Sequence, residues 1–289
     1  MNNNISEFIQ VFDKRIFIDV ASKGCGSGCI YCFSKYPTLK QTLLSEDEMN
    51  SICDEIIKLP ECDKTIISLC PNTEPMKSKE SQELIKLIVD RLISKVKFIQ
   101  IASKEEIPIQ FLDFLNSKAR FVGQVRISIS LPYLHNVEII EPNAASISKR
   151  LKNFNNIRDY SNLVSVLYLR PFNKQMLLDK EEYIDIINTY CPNDICLGAE
   201  FVPRVDGEQL CTYMYNEQLA HDIFESVAKE DIFNFATYLR EKTHCKVFYS
   251  SICNIANCSN YGCMLKLYHY NLEYCKDCVL QIKEGGQIV

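Results

Sequence analysis

The sequence predicts an α/β fold, a parallel sheet with crossover helices. Two observations carry this. Short runs of branched apolar residues alternate with longer amphipathic segments from residue 16 to about residue 202, and several of the apolar runs end in clusters of polar residues. Alternation of this kind is how a chain brings successive strands into one parallel sheet, and ligands of such sheets collect beyond the C-terminal strand ends.

The elements follow in order. Residues 16–21, rich in branched apolar side chains, read as the first strand and deliver a glycine- and cysteine-rich loop. Ser45 is a helix N-cap ahead of Glu46, Asp47 and Glu48, and apolar residues at Met49, Ile52, Ile56 and Ile57 continue that helix to about residue 58. Strands are expected at 65–69, 98–102, 125–130, 163–169 and 195–202, with helices at 81–93, 109–115, 146–159 and 180–190 between them. The sequence shows no internal repeat and no low-complexity segment.

With 289 residues, 47% of them hydrophobic, the chain has material for one large domain or one domain with an appendage. A net charge of −5 gives no general attraction to nucleic acid or to an anionic membrane. No apolar run approaches membrane-spanning length, and residues 1–7 lack the basic start and apolar core of a secretion signal. A cytoplasmic location is therefore expected. In a reducing compartment the 15 cysteines point to metal ligation rather than disulfides.

Cys25, Cys29 and Cys32 stand within eight residues of one another, among Gly24, Gly26 and Gly28. Thiolates are the normal ligands of iron–sulfur clusters, and three of them leave one iron of a four-iron cluster open for a substrate or cofactor. The glycines permit backbone angles closed to other residues and let N–H groups turn toward the inorganic sulfides. Buried thiols of ordinary packing are one alternative. Zinc is the stronger rival, although its fourth ligand is missing locally.

The pattern C-x3-C-x-aromatic-C, met by Cys25, Cys29, Tyr31 and Cys32, resembles the signature of radical S-adenosylmethionine (radical SAM) enzymes. The resemblance implies a partial (β/α)6 TIM-type barrel and a [4Fe–4S] cluster whose open iron holds SAM. It further implies reductive cleavage of SAM to a 5′-deoxyadenosyl radical that abstracts hydrogen, and a protein reductant such as a flavodoxin or ferredoxin. Cys70-Pro71-Asn72-Thr73-Glu74-Pro75, Ser103-Lys104-Glu105, Arg126 to Ser130, Glu141-Pro142-Asn143, Arg150-Leu151 and Arg170-Pro171 are similar, in that order, to the spore photoproduct lyase branch, over about residues 16–172. By that resemblance Thr73 and Glu74 contact the SAM amino group, Lys104 and Ser128 its carboxylate, and Tyr31 lies beside the adenine or the cluster. Cys70 matches a hydrogen-donating cysteine and is the candidate catalytic thiol. Phe33 stands where the lyase has a tyrosine, which removes a phenol from any matching radical relay and argues against the lyase's own reaction.

The C-terminal tail departs from that branch. Cys253, Cys258, Cys263, Cys275 and Cys278 form a C-x4-C-x4-C-x11-C-x2-C array, resembling the auxiliary-cluster extensions of some radical SAM enzymes and dense enough to demand a metal, either a second [4Fe–4S] cluster or zinc. Cys53, Cys62, Cys191, Cys196 and Cys211 are expected to pack in the interior. The expected organisation is a lead-in (1–15), the barrel core (16–210), a helical segment closing it (211–244) and the cysteine-rich metal-binding extension (245–289). The function expected is radical SAM chemistry on a peptide, protein or small molecule. Nucleic-acid base repair or modification is the second reading, and a zinc-stabilised binding protein without redox chemistry is the third.

Overall fold

The computed structural model describes residues 9–12, 15–32, 40–197, 229–249, 251, 253 and 254. Its strands are β1 (Ile9–Phe12), β2 (Arg15–Ile18), β3 (Ala21–Lys23), β4 (Thr42–Leu43), β5 (Ile66–Leu69), β6 (Phe98–Ser103), β7 (Val125–Ser130), β8 (Leu163–Leu169), β9 (Asp194–Leu197) and β10 (Lys246–Phe248). Eight of them form one sheet in the order β1-β2-β5-β6-β7-β8-β9-β10. β1 pairs antiparallel with β2, and every other pairing in that sheet is parallel. Sheet neighbours thus follow chain order, as in the wall of a barrel, with β1 and β10 as the edges among the described residues.

Local chemistry sets the helices between the strands. α1 (Glu46–Ile57) starts at Ser45, whose hydroxyl accepts from the Glu48 N–H while the Glu48 carboxylate accepts from the Ser45 N–H, a complete capping box. α2 (Lys79–Leu92) is capped by Ser78, two residues ahead of the expected start. α3 (Ile109–Lys118), α4 (Val137–Ile140), α5 (Ile147–Arg158), α6 (Lys174–Leu178), α7 (Lys180–Tyr190) and α8 (Lys229–Lys242) complete the set. No helix among the described residues is long and apolar enough to cross a membrane.

The sheet has two unlike faces. Register places Ile16, Ile67, Ile99, Val125 and Leu163 side by side, with Ile129, Leu167, Ile195 and Val247 further along. These join one core with Ile52 of α1, Ile88 of α2, Leu112 of α3, Phe154 of α5, Ile187 of α7 and Leu239 of α8. Burying each such side chain contributes roughly 1.5–3 kcal/mol. On the other face Phe17, Ser68, Gln100 and Arg126 are neighbours, as are Ala102, Ser128, Val166 and Asp194. Strand alternation thus sends one set of residues to the helices and a polar set inward.

Part of that inner face is satisfied by residues near the C-terminal end of the described chain. The Arg15 guanidinium donates to Ser68 Oγ at 2.7 Å, Gln100 Oε1 at 2.9 Å and Ser251 Oγ at 3.1 Å. Arg126, 1% exposed, pairs with Asp194 and donates to Asn254 Oδ1 at 2.7 Å, and Asn254 in turn donates to Asp194 Oδ2 at 2.8 Å.

The first strand ends at Ile18 rather than at residue 21, and Ala21–Lys23 instead pairs antiparallel with Thr42–Leu43. The sixth expected strand begins at Asp194, and residues 198–202 lie outside the described residues. Lys246–Phe248, read from the sequence as the start of the cysteine-rich extension, pairs parallel with β9 as a further strand of the sheet. Cys53 and Cys196 are buried as expected and Cys62 is half-buried, but Cys191 is exposed. It ends α7 at φ +47°, a left-handed turn that leads the chain out of the helix. Cys211 lies outside the described residues.

Replacing Asp194 by alanine removes a counter-charge that pairs with the buried Arg126 cation, and is expected to cost about 3–5 kcal/mol. Removing the exposed partner of Lys58, by Glu55→Ala, should cost less than about 1 kcal/mol. Urea unfolding of the two variants beside the parent measures both.

Candidate active site

The loop after β2 carries Cys25, Cys29 and Cys32 to the C-terminal end of the sheet, where the loops after β5, β6 and β7 also arrive. Gly24, Gly26 and Gly28 have φ of 74°, 82° and 64°, left-handed turns that let the loop coil tightly. At Gly26 a Cβ would stand 2.9 Å from Lys77 Cγ, so a side chain is excluded by space as well as by angle. Lys77 crosses here to pair with Glu105 at 2.7 Å and to donate to the Asn143 carbonyl. Gln41 Nε2 donates to the carbonyls of Cys25 at 3.3 Å and Glu74 at 3.0 Å, tying the loop to the segment after β5.

Burial pushes Cys29 up to about 12 against the pull of the Lys104 ammonium, and the Cys25 and Cys32 sulfurs add to the rise. Burial also raises Cys25, helped by the Glu74 carboxylate. Among the described residues no group of His, Cys, Asp and Glu gathers around a single metal ion. A four-iron cluster makes a different demand, since each thiolate binds its own iron. Three soft ligands on a glycine loop, with burial disfavouring the bare thiolates, fit such a cluster, whose positive charge offsets that cost.

A carboxylate braces the cradle. Glu141, fully buried, accepts from the Tyr31 hydroxyl, pairs with Arg150 at 2.5 Å and lies 3.9 Å from the Lys104 ammonium. Tyr31, the aromatic residue of the cysteine motif, packs on Tyr133 with centroids 5.6 Å apart, and the Lys104 ammonium stands 5.6 Å from its ring centre. Burial lowers the Lys104 pKa, but the Cys29 and Glu141 negative charges outweigh it and leave the pKa above the ordinary lysine value. Backbone bonds from Ile30 N–H to Ile140 O at 3.0 Å and from Asn143 N–H to Ser27 O at 3.2 Å run along the same seam. Cys29, Tyr31, Tyr133, Val137 and Ile140 form a second apolar cluster there.

Glu74 is buried, and its carboxylate accepts from Ser103 Oγ at 2.5 Å, the Lys104 N–H at 2.8 Å and the Met76 N–H at 3.1 Å. Burial raises its pKa against those bonds. Thr73 donates to Asp19 at 3.1 Å, and Asn72 does so from both its N–H and its amide. Both residues expected at the SAM amino group are thus engaged within the protein. Cys70, at φ +54°, belongs to the core, and burial raises its thiol further with the help of Asp19. Ser128 lines a cavity of about 240 Å³ on the inner face together with Arg15, Asn72, Gln100, Tyr168 and Arg170. Cys253 is buried next to Asn254, while Cys258, Cys263, Cys275 and Cys278 lie outside the described residues.

The structure therefore brings together Cys25, Cys29, Cys32, Tyr31 and Lys104, with Glu74 behind them. Asp19 escapes a reading of the sequence, although a carboxylate at the end of the first strand is a signal in this class of sheet. Gln41 and Tyr133 carry no sequence signal, because only the packing of distant loops gives them a role.

In cluster-free protein at pH 8, iodoacetamide should modify Cys29 at least roughly a hundredfold more slowly than exposed Cys191, since a raised pKa leaves little thiolate below it. Peptide mass mapping over time gives both rates, and equal rates would contradict this placement.

No protein-family model matches the sequence, and no curated protein does. Solved structures do match. A mutant spore photoproduct lyase superposes with a TM-score of 0.60 at 14% identity, over 82% of this chain and 78% of that one. Native anSMEcpe with bound AdoMet gives 0.55 at 13% identity, over 82% of this chain and 64% of that one. Streptococcus suis SuiB gives 0.54 at 12% identity, over 83% and 50%. The chain thus spans less than two thirds of the length of the last two. All three are radical SAM enzymes, and theirs is the fold that this chain shares.

Proposed function

We propose that the chain is a radical SAM enzyme. Its Cys25, Cys29 and Cys32 would hold a [4Fe–4S] cluster, and SAM would occupy the open iron. The observation that carries this reading is three cysteines on a left-handed glycine loop after β2, at the C-terminal end of a parallel sheet. When bound, the cluster supplies an electron and SAM the 5′-deoxyadenosyl radical that takes hydrogen from substrate.

The chain's own residues do the remaining work. Lys104, fixed by Glu141 and Tyr31, presents a cation beside Cys29 that suits the SAM carboxylate. Glu141 and Arg150 hold the loop after β7 against the cysteine loop, and the apolar cluster of Tyr31, Tyr133 and Ile140 keeps water from that side. Cys70 is the proposed hydrogen donor of this reading, supported by its place directly after β5. A flavodoxin- or ferredoxin-type reductant would deliver the electron. A peptide, protein or small molecule is the favoured substrate class, supported by the net charge of −5, which gives no general attraction to a nucleic acid. The tail cysteines are proposed to hold a second cluster or a zinc ion.

Anaerobic reconstitution tests this. The parent should bind about four irons for each cluster, and the triple variant Cys25→Ala/Cys29→Ala/Cys32→Ala should lose about four of them together with dithionite-driven SAM cleavage. A parent that binds zinc alone and does not cleave SAM would instead be a binding protein. Lys104→Ala should retain iron yet weaken SAM binding roughly tenfold, about 1.4 kcal/mol, measured by titration of the reconstituted protein.

A further inference from the structure

One lysine joins the cysteine loop to the loops after β6 and β7. Lys77 stands between buried Met76, whose N–H donates to the Glu74 carboxylate, and Ser78, the cap of α2, so its backbone is fixed on both sides. Its stem runs over Gly26: Cγ, Cδ and Cε lie 2.9, 3.3 and 3.2 Å from where a Cβ of that glycine would stand. Gly26 is buried there, next in the chain to Cys25. The ammonium then reaches the Glu105 carboxylate at 2.7 Å and the Asn143 carbonyl.

Both anchors are themselves held. Glu105 donates its N–H to Ser103 Oγ at 2.9 Å, and its carbonyl accepts from Asn153 Nδ2 at 2.9 Å. The Asn143 N–H donates to the Ser27 carbonyl at 3.2 Å, so the residue that takes the ammonium also bonds the cysteine loop. The Lys77 and Glu105 side chains are 25% and 18% exposed, and an ion pair in reach of water adds little to global stability. Its effect is local: the stem fills the space beside Gly26, and the two bonds keep it there.

We infer that Lys77 is a positioning residue for the cluster thiolates, a strap whose stem closes the cysteine loop beside Cys25 and whose ammonium anchors it to the loops after β6 and β7. The inference deepens the radical SAM reading and rests on it for the word cluster. The strap itself rests on the contacts of Lys77 alone.

The test is access to Cys25 in cluster-free protein at pH 8, read against exposed Cys191 by peptide mass mapping after iodoacetamide treatment. Lys77→Ala should speed modification of Cys25 about tenfold relative to Cys191, because the packed methylenes and the ion pair are both lost. Lys77→Arg, which can bond both anchors, should return the rate to within about twofold of the parent. Glu105→Gln leaves the stem in place and should give roughly a threefold gain; it decides the matter if Lys77→Ala fails to fold. Iron release to EDTA from the reconstituted proteins should follow the same order. No gain at Cys25, no rescue by arginine, or an equal gain at Cys53 in the α1 core would overturn the inference, the last because it signals global opening. So would an alkylation order that iron release does not follow. A parent that binds no iron defeats the radical SAM reading and leaves the strap to be judged by alkylation, whereas iron bound with unchanged alkylation defeats only the strap.

Discussion

Each strand of the parallel sheet presents two faces, and among the described residues the helices α1, α2, α3, α5, α7 and α8 pack against one of them. That constraint organises everything else. The outward positions are isoleucine, leucine and valine, locked into one core with the helices. The inward positions include arginine, serine and glutamine, which must find partners on the face away from that core. Buried polar groups cost free energy unless they are bonded. The molecule meets this by two means, a C-terminal segment that bonds to Arg15, Arg126 and Asp194, and a small polar cavity.

At the C-terminal end of the sheet the organising group is a single carboxylate. Glu141 takes the Tyr31 phenol, the Arg150 guanidinium and the Lys104 ammonium from three separate elements. Tyr31 lies between two of the cysteines, so the position of the thiols is set from a loop 110 residues further on. A pair this dry contributes little net stability, because removing both charges from water is costly. Its value is geometric: it permits one arrangement of loop, lysine and tyrosine and penalises others.

Much of this was legible in the sequence. The strands at 125–130 and 163–169 and the helix at 180–190 have the bounds that periodicity implies, because each is flanked by residues that stop it. The Ser45 cap was legible because its partner is three residues away. What escaped was non-local. The short antiparallel pair of Ala21–Lys23 with Thr42–Leu43 has too few residues to show a period. The place of Lys246–Phe248 in the sheet depends on β9, about fifty residues earlier. Spacing alone marked the three cysteines, but it was silent on Asp19 and Gln41, whose partners come from the ends of other strands. Exposed Cys191 was misread because a cysteine near a strand looks apolar until the helix end beside it is seen.

The bonds made by Ser251 and Asn254 also have a consequence in time. They join residues separated by 236 and 128 positions, to Arg15 and Arg126. A ribosome delivers the N-terminal partners first, and the strands can pair long before residue 254 has left the exit tunnel. Contacts of such long separation form late, after the entropy of closing a very large loop has been met. Until residues 251 and 254 have been made, Arg15 and Arg126 lack these two partners. The bonding of the polar face is thus among the contacts of greatest sequence separation in the molecule, and among those the chain can make only after most of its length has been synthesised.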